Sequence, residues 1–301
     1  MGFMCDSIAI SPWIHALTID VEDYYCVIAR DRLGMDLAPD EAVVRTTERL
    51  LDLFAQHNLK ATFFVLGEVA RTYPELVRRI ARDGHEVGIH GFYHRQVFKL
   101  TPEQFRREIA EGQKVIEDAA GVRVRGHRAP AFSIGPQTQW ALEVLAELGI
   151  EYDSSIFPFA GRRYGWPDFG PDIRRLALPN GATLIEAPMS TVRILGKTLP
   201  ACGGGYLRHF PYAFTGWAMR RIQRRRPAIV YLHPYEVDIQ PGPEWFRQAM
   251  AKAPAGVRRF HRLQMRNRPG VMGKLRRLLE SFQFAPLGEV IDLARAQSPS
   301  R

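Results

Sequence analysis

Short apolar runs alternate with amphipathic stretches along the chain from Ala16 to about Gln240. This alternation is typical of βα units, in which buried parallel strands are connected by surface helices. Five of the apolar runs are followed by a residue that can bind a metal ion or move a proton, namely Asp20, His90, Arg128, Asp153 and His233. In parallel α/β proteins, active sites are assembled at the carboxyl ends of the strands. We therefore expect these residues to meet at one site.

The spacing of apolar residues also predicts individual elements. Residues 41–57 have helical periodicity, and residues 60–66 form a continuous apolar run that is typical of a buried strand. Residues 101–104 combine a threonine, a proline and a glutamine in the order of a capping box, which predicts a helix that begins at residue 102. Residues 176–186 contain two short apolar runs around a Pro-Asn-Gly turn, which predicts a β-hairpin.

The pattern changes after residue 240, where the chain becomes polar and rich in arginine. Residues 271–284 have the periodicity of one helix, and no group in this region has the spacing of metal ligands. We therefore predict a catalytic domain over residues 14–240 and a C-terminal extension over residues 241–301 that packs on it.

The composition adds a basic balance to this picture. The 301 residues include 41 basic and 32 acidic side chains, a formal charge of +9, and part of the excess lies in residues 220–226 and 258–277. Such a chain suits an anionic partner, namely nucleic acid, a phosphate-bearing substrate or an acidic membrane surface, although solvated helix faces would give the same composition. Three cysteines without a pairing pattern, and no recognisable secretory signal, predict a cytoplasmic location.

Two histidines and a cluster of acids form a candidate metal site. His90 and His94 are four residues apart directly after a predicted strand, so a compact turn can direct both imidazoles at one cation. Asp20, Glu22 and Asp23 follow another strand and can supply a carboxylate. Two histidines and one carboxylate leave positions open on Zn²⁺ or a similar ion, which is the arrangement of a catalytic site.

Hydrolysis of an amide needs two further groups, a base that takes a proton from water and an acid that protonates the departing amine. Asp20 can be the base and His233 the acid, because each follows a predicted strand. His127 lies inside its strand, so we expect it to pack in the interior instead of binding a ligand.

Taken together, these segments resemble the polysaccharide deacetylase family, whose members share the NodB homology domain. The resemblance covers about residues 17–238 and keeps the order of the five family motifs, which correspond here to residues 18–23, 90–94, 128–130, 153–155 and 232–234. It implies an α/β fold, a distorted (β/α) barrel of the NodB type, with a small hairpin insertion and a helical C-terminal extension. Finer similarities point to the subgroup found with exopolysaccharide and exosortase gene clusters.

The resemblance also implies roles for individual residues. Arg128 would hold the catalytic base in its ionised form, and the backbone amide of Ala131, after Pro130, would bind the oxyanion. Asp153 would raise the pKa of the acid histidine and keep it protonated. Tyr93 is a candidate for stacking on a sugar ring.

One departure from the family pattern leaves the carboxylate ligand open. The family has two adjacent aspartates, whereas Val21 separates Asp20 from Glu22 and Asp23 in this chain. In an extended strand Asp20 and Glu22 point the same way, and Asp23 joins them only if the chain turns. Glu22 and Asp23 are both candidates for the carboxylate ligand. We prefer Asp23, because the turn must begin near this position.

The expected function is metal-dependent removal of N-acetyl groups from the amino sugars of a polysaccharide or a lipid-linked glycan precursor. The expected ion is Zn²⁺, with Co²⁺, Ni²⁺ and Mn²⁺ as alternatives. A hydrolase of a small cyclic amide or ureide, and a non-catalytic carbohydrate-binding module, are the competing interpretations. The basic C-terminal region is a candidate for peripheral contact with an anionic membrane, whereas a nucleic-acid partner is not expected.

Overall fold

The structure is a computed structural model that describes residues 5–7, 14–161 and 164–297 of the chain. Its strands are β1 (Cys5–Ser7), β2 (Ile14–Val21), β3 (Thr62–Val65), β4 (Glu86–Ile89), β5 (Gly126–His127), β6 (Tyr152–Asp153), β7 (Arg174–Ala177), β8 (Thr183–Glu186), β9 (Thr191–Ile194), β10 (Lys197–Pro200), β11 (Ile229–Leu232) and β12 (Gln283–Ala285). Its helices are α1 (Tyr24–Leu33), α2 (Ala42–Gln56), α3 (Gly67–Thr72), α4 (Pro74–Arg82), α5 (Pro102–Ala120), α6 (Trp140–Glu147), α7 (Gly204–His209), α8 (Tyr212–Ile222), α9 (Glu244–Lys252), α10 (Ala255–Met265), α11 (Val271–Ser281) and α12 (Leu287–Gln297). Among these helices, none combines the length and the apolar character needed to cross a membrane.

Parallel strands form the centre of the main sheet, in the order β11, β2, β3, β4, β5, β6 and β8. β7 and β1 continue the sheet beyond β8 in antiparallel orientation, and β9 and β10 form a separate hairpin. Every residue of β3 and β11 is buried, as expected for parallel strands that are covered on both faces. The predicted α/β fold is confirmed, and the carboxyl ends of the parallel strands lie along one edge.

The sheet curls into a distorted barrel. The two ends of its parallel part, β8 and β11, approach each other at Ser190, which follows β8. The Ser190 hydroxyl accepts a hydrogen bond from the amide of Ile229 on β11 at 2.7 Å. The strand before Arg128, β5, has only two residues, and the amide of Val124 before it donates to the Glu117 side chain of α5 at 2.9 Å. A side chain of a covering helix therefore takes the place of a neighbouring strand at this position.

Two local predictions are confirmed in detail. The hydroxyl of Thr101 accepts a hydrogen bond from the Gln104 amide at 3.2 Å, and the Gln104 side chain accepts one from the Thr101 amide at 2.9 Å. This reciprocal bonding is the capping box that begins α5 at Pro102. The hairpin predicted within residues 176–186 is formed by β7 and β8, which pair in antiparallel orientation.

The prediction of a single helix over residues 271–284 is wrong at its end. α11 ends at Ser281, and β12 pairs in parallel with the first residues of β2. Phe282 and Phe284 pack against the ring of His15, with ring centroids 5.5 and 5.8 Å apart. These two aromatic residues alternate with the exposed Gln283, and a strand buries such a pattern on one side, whereas a helix would not.

The start of α12 is anchored to the parallel strands by side chains. The amide of Leu287 donates to Thr62 Oγ1 on β3 at 2.7 Å, and the amide of Gly288 donates to Glu86 Oε2 on β4 at 2.9 Å. Thr62 in turn donates to the same Glu86 oxygen at 2.5 Å. These bonds satisfy amide groups that the first turn of a helix leaves without partners.

The helices α9 and α10 contact α1. An apolar cluster joins Tyr24 and Ile28 of α1 to Phe246 and Met250 of α9, with Tyr235 between them. The region after residue 240 therefore contacts both the helical layer and the sheet. The division of the chain at that residue stays a prediction.

We expect the Thr62→Val substitution to lower the free energy of unfolding by about 1–3 kcal/mol, because it leaves the buried Leu287 amide without an acceptor. Urea unfolding of the wild-type and variant proteins would measure the difference. Thr198→Val is the matched control, since Thr198 is an exposed residue of β10. An equal, small effect of both substitutions would contradict the proposed anchoring of α12.

Candidate active site

The carboxyl ends of the parallel strands surround a cavity of about 520 Å³. Its lining includes most of the residues that the sequence predicts to be functional: Asp20, Glu22, His90, His94, Ala131 and His233. Arg128 lies directly behind this lining and contacts Asp20 through its guanidinium group. The fold thus brings residues from distant segments of the chain to one place.

Asp20 and Arg128 form a buried ion pair. Asp20 lies near the end of β2, and its Oδ1 accepts a hydrogen bond from Arg128 Nη1 at 2.8 Å. The same Nη1 donates to Thr18 Oγ1 at 2.7 Å, and the guanidinium carbon lies 4.4 Å from the centre of the Phe64 ring. Because Arg128 is fully buried, these contacts fix both its position and that of the Asp20 carboxylate.

A tight turn after β4 orients the two histidines. Gly91 has a φ of 77°, and His94 has a φ of 57°, in the left-handed region that residues with a side chain seldom adopt. A Cβ atom on Gly91 would lie 3.2 Å from Pro130 Cγ, so glycine also lets this loop pack closely against the segment that carries Ala131. The turn brings both imidazoles next to Glu22.

The three potential ligands lie within bonding reach of one ion. His94 Nε2 is 2.7 Å from Glu22 Oε2, and His90 Nε2 is 3.8 Å from the same oxygen. His90 Nδ1 donates to the carbonyl oxygen of Arg128 at 2.8 Å, which leaves a lone pair on Nε2 facing the cluster. The ligand atoms of the three residues all lie within 4.8 Å of one another.

This donor set fits a divalent cation. Glu22 Oε2 is buried and has no hydrogen-bond partner in the described part of the chain, although a histidine nitrogen lies beside it. Burial alone would raise the pKa of Glu22, but the positive charges of His94 and His233 hold that pKa well below its usual value. Two imidazoles and one carboxylate are ligands that Zn²⁺ and similar ions bind, with a position left open for water or substrate.

The preference for Asp23 as the carboxylate ligand is corrected by the structure. Asp23 is the N-cap of α1, where its Oδ1 accepts hydrogen bonds from the amides of Tyr25 and Cys26 at 2.8 and 3.3 Å. Its other oxygen accepts a bond from the amide of Asp40. The chain does turn here, as expected, but the turn directs Asp23 into a cap and leaves Glu22 beside the histidines.

His233 lies between the ion pair and the cluster of ligands. Its Nε2 is 4.0 Å from Asp20 Oδ2 and 3.9 Å from Glu22 Oε1, while its Nδ1 donates to Glu236 Oε2 at 3.1 Å. Burial alone would lower the pKa of His233, but the charges of Glu22, Glu236 and Asp20 raise it to about 9. The ring therefore carries a proton near neutral pH.

The prediction that Asp153 tunes His233 is also corrected. The Asp153 carboxylate accepts hydrogen bonds from His127 Nδ1 at 2.6 Å, from the Ser155 hydroxyl at 2.6 Å and from the Ser155 amide at 3.1 Å. None of the contacts described for Asp153 reaches His233. Glu236 takes the role that the sequence assigned to Asp153, because it follows His233 by one short turn.

Asp153 instead orders the segment that holds Arg128. The carbonyl and hydroxyl of Ser154 accept hydrogen bonds from Arg128 Nε and Nη2 at 3.0 and 2.9 Å. The hydroxyl of Ser155, fixed by Asp153, accepts a bond from the Ala129 amide at 2.7 Å. Asp153 thus helps to position the segment that holds the Arg128 guanidinium next to Asp20.

The predicted oxyanion and substrate residues have different positions. Ala131 lines the cavity with a φ of 53°, and Phe132 after it has a φ of 52°, so the backbone at this point is held in an unusual conformation. Pro130 is buried behind them, against Gly91. Tyr93 is not among the residues that line the cavity, and its ring lies 5.6 Å from the guanidinium groups of Arg30 and Arg95.

Several lining residues come from segments without a recognisable motif. α7 contributes Tyr206 and Arg208, and α10 contributes Leu263 and Gln264. Arg208 is buried and donates to Gln264 Oε1 at 3.1 Å, and this bond connects the two helices. In the sequence, the run of glycines directly before Tyr206 is the one signal that could have indicated a role for this segment.

Two family models match adjacent parts of the chain. Residues 35–152 match the model described as Polysaccharide deacetylase, and residues 154–292 match a domain of unknown function, DUF3473. The first range begins after Asp20 and Glu22 and contains the two histidines and Arg128. The second contains His233, α7 and α10.

Curated relatives match only part of the chain. The peptidoglycan-N-acetylglucosamine deacetylase of Bacillus cereus is 37% identical over 112 residues, which are 37% of this chain and 40% of the relative. The chitooligosaccharide deacetylase of a Bradyrhizobium species is 32% identical over 100 residues, 33% of this chain and 43% of the relative. The match therefore spans less than half the length of these relatives.

Solved structures share the fold over nearly the whole chain. A Mycobacterium smegmatis protein, provisionally described as a polysaccharide deacetylase, superimposes with a TM-score of 0.62 at 21% identity and covers 99% of both chains. A peptidoglycan deacetylase from Bacillus subtilis gives a TM-score of 0.50 at 15% identity and covers 96% of this chain and 95% of its own. At these identities the likeness concerns the fold.

We expect Glu22→Gln to weaken Zn²⁺ binding by more than about tenfold, because it removes a charged ligand from the cluster. Asp23→Asn is the matched control, since Asp23 caps α1 and asparagine is also a good cap. Titration calorimetry with Zn²⁺ would measure both affinities. If Asp23→Asn abolished binding and Glu22→Gln preserved it, the assignment of the carboxylate ligand would be reversed.

Proposed function

This chain carries a polysaccharide deacetylase domain of the NodB type, and from that premise we propose that it is a metal-dependent hydrolase that removes N-acetyl groups from amino sugars. The observation that supports the proposal is the meeting of a buried Asp20–Arg128 pair, His233 and a three-ligand cluster at one cavity. An amide hydrolase needs a base, an acid and a group that stabilises the oxyanion.

Glu22, His90 and His94 would hold the metal ion. Their nitrogen and oxygen donors suit Zn²⁺ first, with Co²⁺, Ni²⁺ and Mn²⁺ as alternatives. When bound, such an ion supplies Lewis acidity, which polarises a carbonyl group and acidifies water.

The side chains around this cluster divide the proton transfers between them. Asp20 takes a proton from the attacking water, and Arg128 keeps its carboxylate in place. His233 gives a proton to the departing amine, held in position by Glu236. The backbone amide of Ala131 contributes to oxyanion stabilisation, where the loss of one donor typically costs about 3 kcal/mol of barrier.

The proposed substrate class rests on the similarity to deacetylases of peptidoglycan N-acetylglucosamine and of chitooligosaccharides. For this chain we propose an N-acetylated polysaccharide or a lipid-linked glycan precursor, made for export as an exopolysaccharide and modified in the cytoplasm. The cavity, at about 520 Å³, has the size of a site for a small ligand or for one segment of a glycan.

The direct test is release of acetate by the Zn²⁺-loaded protein from chitooligosaccharides, peptidoglycan fragments and lipid-linked N-acetylhexosamines. We expect Asp20→Asn and His233→Ala each to lower kcat by about 10²- to 10⁴-fold, because each removes a proton-transfer group. Metal affinity should remain in both variants. Metal binding without acetate release from any of these glycans would overturn the proposal, and release of ammonia or acid from cyclic amides would favour the small-molecule alternative.

Removal of the metal provides an independent prediction. Treatment with a chelator should abolish acetate release, and added Zn²⁺ or Co²⁺ should restore it, because the three ligands bind the ion without covalent attachment. In the His90→Ala, His94→Ala double variant the added ion should restore nothing. Full activity of the chelated wild-type protein would exclude a metal-dependent mechanism.

A further inference from the structure

One segment of the chain is strongly basic and contains no acidic residue. Residues 187–235 include no aspartate or glutamate and eight basic residues, which are Arg193, Lys197, Arg208, Arg220, Arg221, Arg224, Arg225 and Arg226. Arg208 faces the active-site cavity, and Arg226 is largely buried, with a hydrogen bond to the carbonyl oxygen of Thr191 at 2.9 Å. The other six are exposed.

The β9–β10 hairpin presents a leucine to solvent at its tip. Ile194 pairs with Lys197, so Leu195 and Gly196 form a two-residue turn, and both have positive φ values, 47° and 78°. Such turns favour Asn-Gly, because a leucine in the left-handed region is strained. Leu195 is nevertheless 97% exposed, so it contributes almost nothing to the packing of the fold.

The C-terminal half of α8 continues the same surface. Arg193 of the hairpin lines one cleft of about 500 Å³ together with Arg221, near the end of α8, and Arg224 and Arg225, which follow the helix. Trp217 lies one helical turn before Arg221, is 40% exposed, and has the Arg221 guanidinium 5.9 Å from its ring centre. Two of the cationic side chains of this cleft thus have an exposed apolar neighbour: Arg221 lies beside Trp217, and Arg193 precedes Leu195 by two residues in the hairpin.

We propose that this basic face, formed by Arg193, Leu195, Trp217, Arg221, Arg224 and Arg225, docks on the surface of a bilayer that contains anionic lipids. Lysine and arginine side chains near such a surface are attracted by its negative potential. A tryptophan suits the interface between headgroups and acyl chains, and an exposed leucine gains free energy when it leaves water.

The apolar residues favour a bilayer over a nucleic acid or a soluble polyanion. A ligand that offers only phosphate groups would bind the arginines but would not bury Leu195, which is exposed at the tip of the hairpin. The face lies outside residues 241–301, the region to which basic composition alone assigned membrane contact. It shares no lining residue with the active-site cavity, so docking and catalysis can be tested separately.

The test is flotation of the full-length protein with phosphatidylcholine vesicles, with and without phosphatidylglycerol. We expect binding only to the anionic vesicles, and we expect the Arg221→Glu, Arg224→Glu double variant to lower the partition coefficient by at least about tenfold. The matched control is Arg259→Glu, Arg262→Glu, which reverses two exposed charges on α10 and should bind like the wild type. The opposite order of the two double variants would assign the contact to the C-terminal region and overturn the proposal.

Leu195→Asn separates docking from folding. It places the favoured Asn-Gly pair in the turn, so the midpoint of thermal unfolding should be unchanged or higher, while binding to anionic vesicles should fall several-fold. Unchanged vesicle binding by this variant would show that the surface recognises charge alone. Equal binding of the wild-type protein to neutral vesicles, or binding to a polynucleotide but not to anionic vesicles, would also reject the proposal.

Discussion

The burial of the Arg128 guanidinium is the constraint on which the site depends. A buried charge is costly unless a counter-ion and hydrogen-bond acceptors surround it. Asp20 supplies the opposite charge, while Thr18 and Ser154 supply acceptors from the neighbouring segments. Arg128 also uses its own carbonyl oxygen to fix His90. One residue therefore orients both the proposed base and a metal ligand, and displacement of either group would leave a buried polar atom without a partner.

Two buried carboxyl groups, Glu186 and Asp153, lie next to the segment that holds Arg128. Burial, reinforced by the neighbouring charge of Asp153, raises the pKa of Glu186 well above its usual value, so Glu186 keeps its proton. A protonated Glu186 can donate to Asp153, and Asp153 keeps its charge through the donors His127 and Ser155. Two adjacent carboxyl groups thus share a single negative charge, which a pocket without solvent can accommodate.

The sequence predicted the parts of this arrangement that depend on chain direction. Residues at the carboxyl ends of parallel strands converge wherever the strands are parallel, so the positions of Asp20, His90 and His233 followed from the apolar pattern. The apolar pattern did not predict which carboxylates would lie beside the histidines, because that depends on the path of turns of only a few residues. Asp23 begins a helix and becomes its cap, while Glu236 returns to His233 within one turn of 3₁₀ helix. Strand alternation does give Glu22 correctly as the neighbour of Asp20.

The two halves of the chain contribute different parts of the cavity lining. The histidines and the arginine lie within residues 35–152, whereas much of the opposite wall comes from α7 and α10, within residues 154–292. The two helices are connected by the hydrogen bond between Arg208 and Gln264, and Arg208 is itself buried beside Glu236, the partner of His233. This wall is also connected to His233, the proposed acid, through Tyr235, whose hydroxyl donates to Gln264 Oε1 at 3.2 Å and whose ring lies 5.5 Å from the His233 ring. Under the proposed function, this half of the chain would select the substrate, while Arg128 holds the proposed base Asp20 and the proposed metal ligand His90 in place.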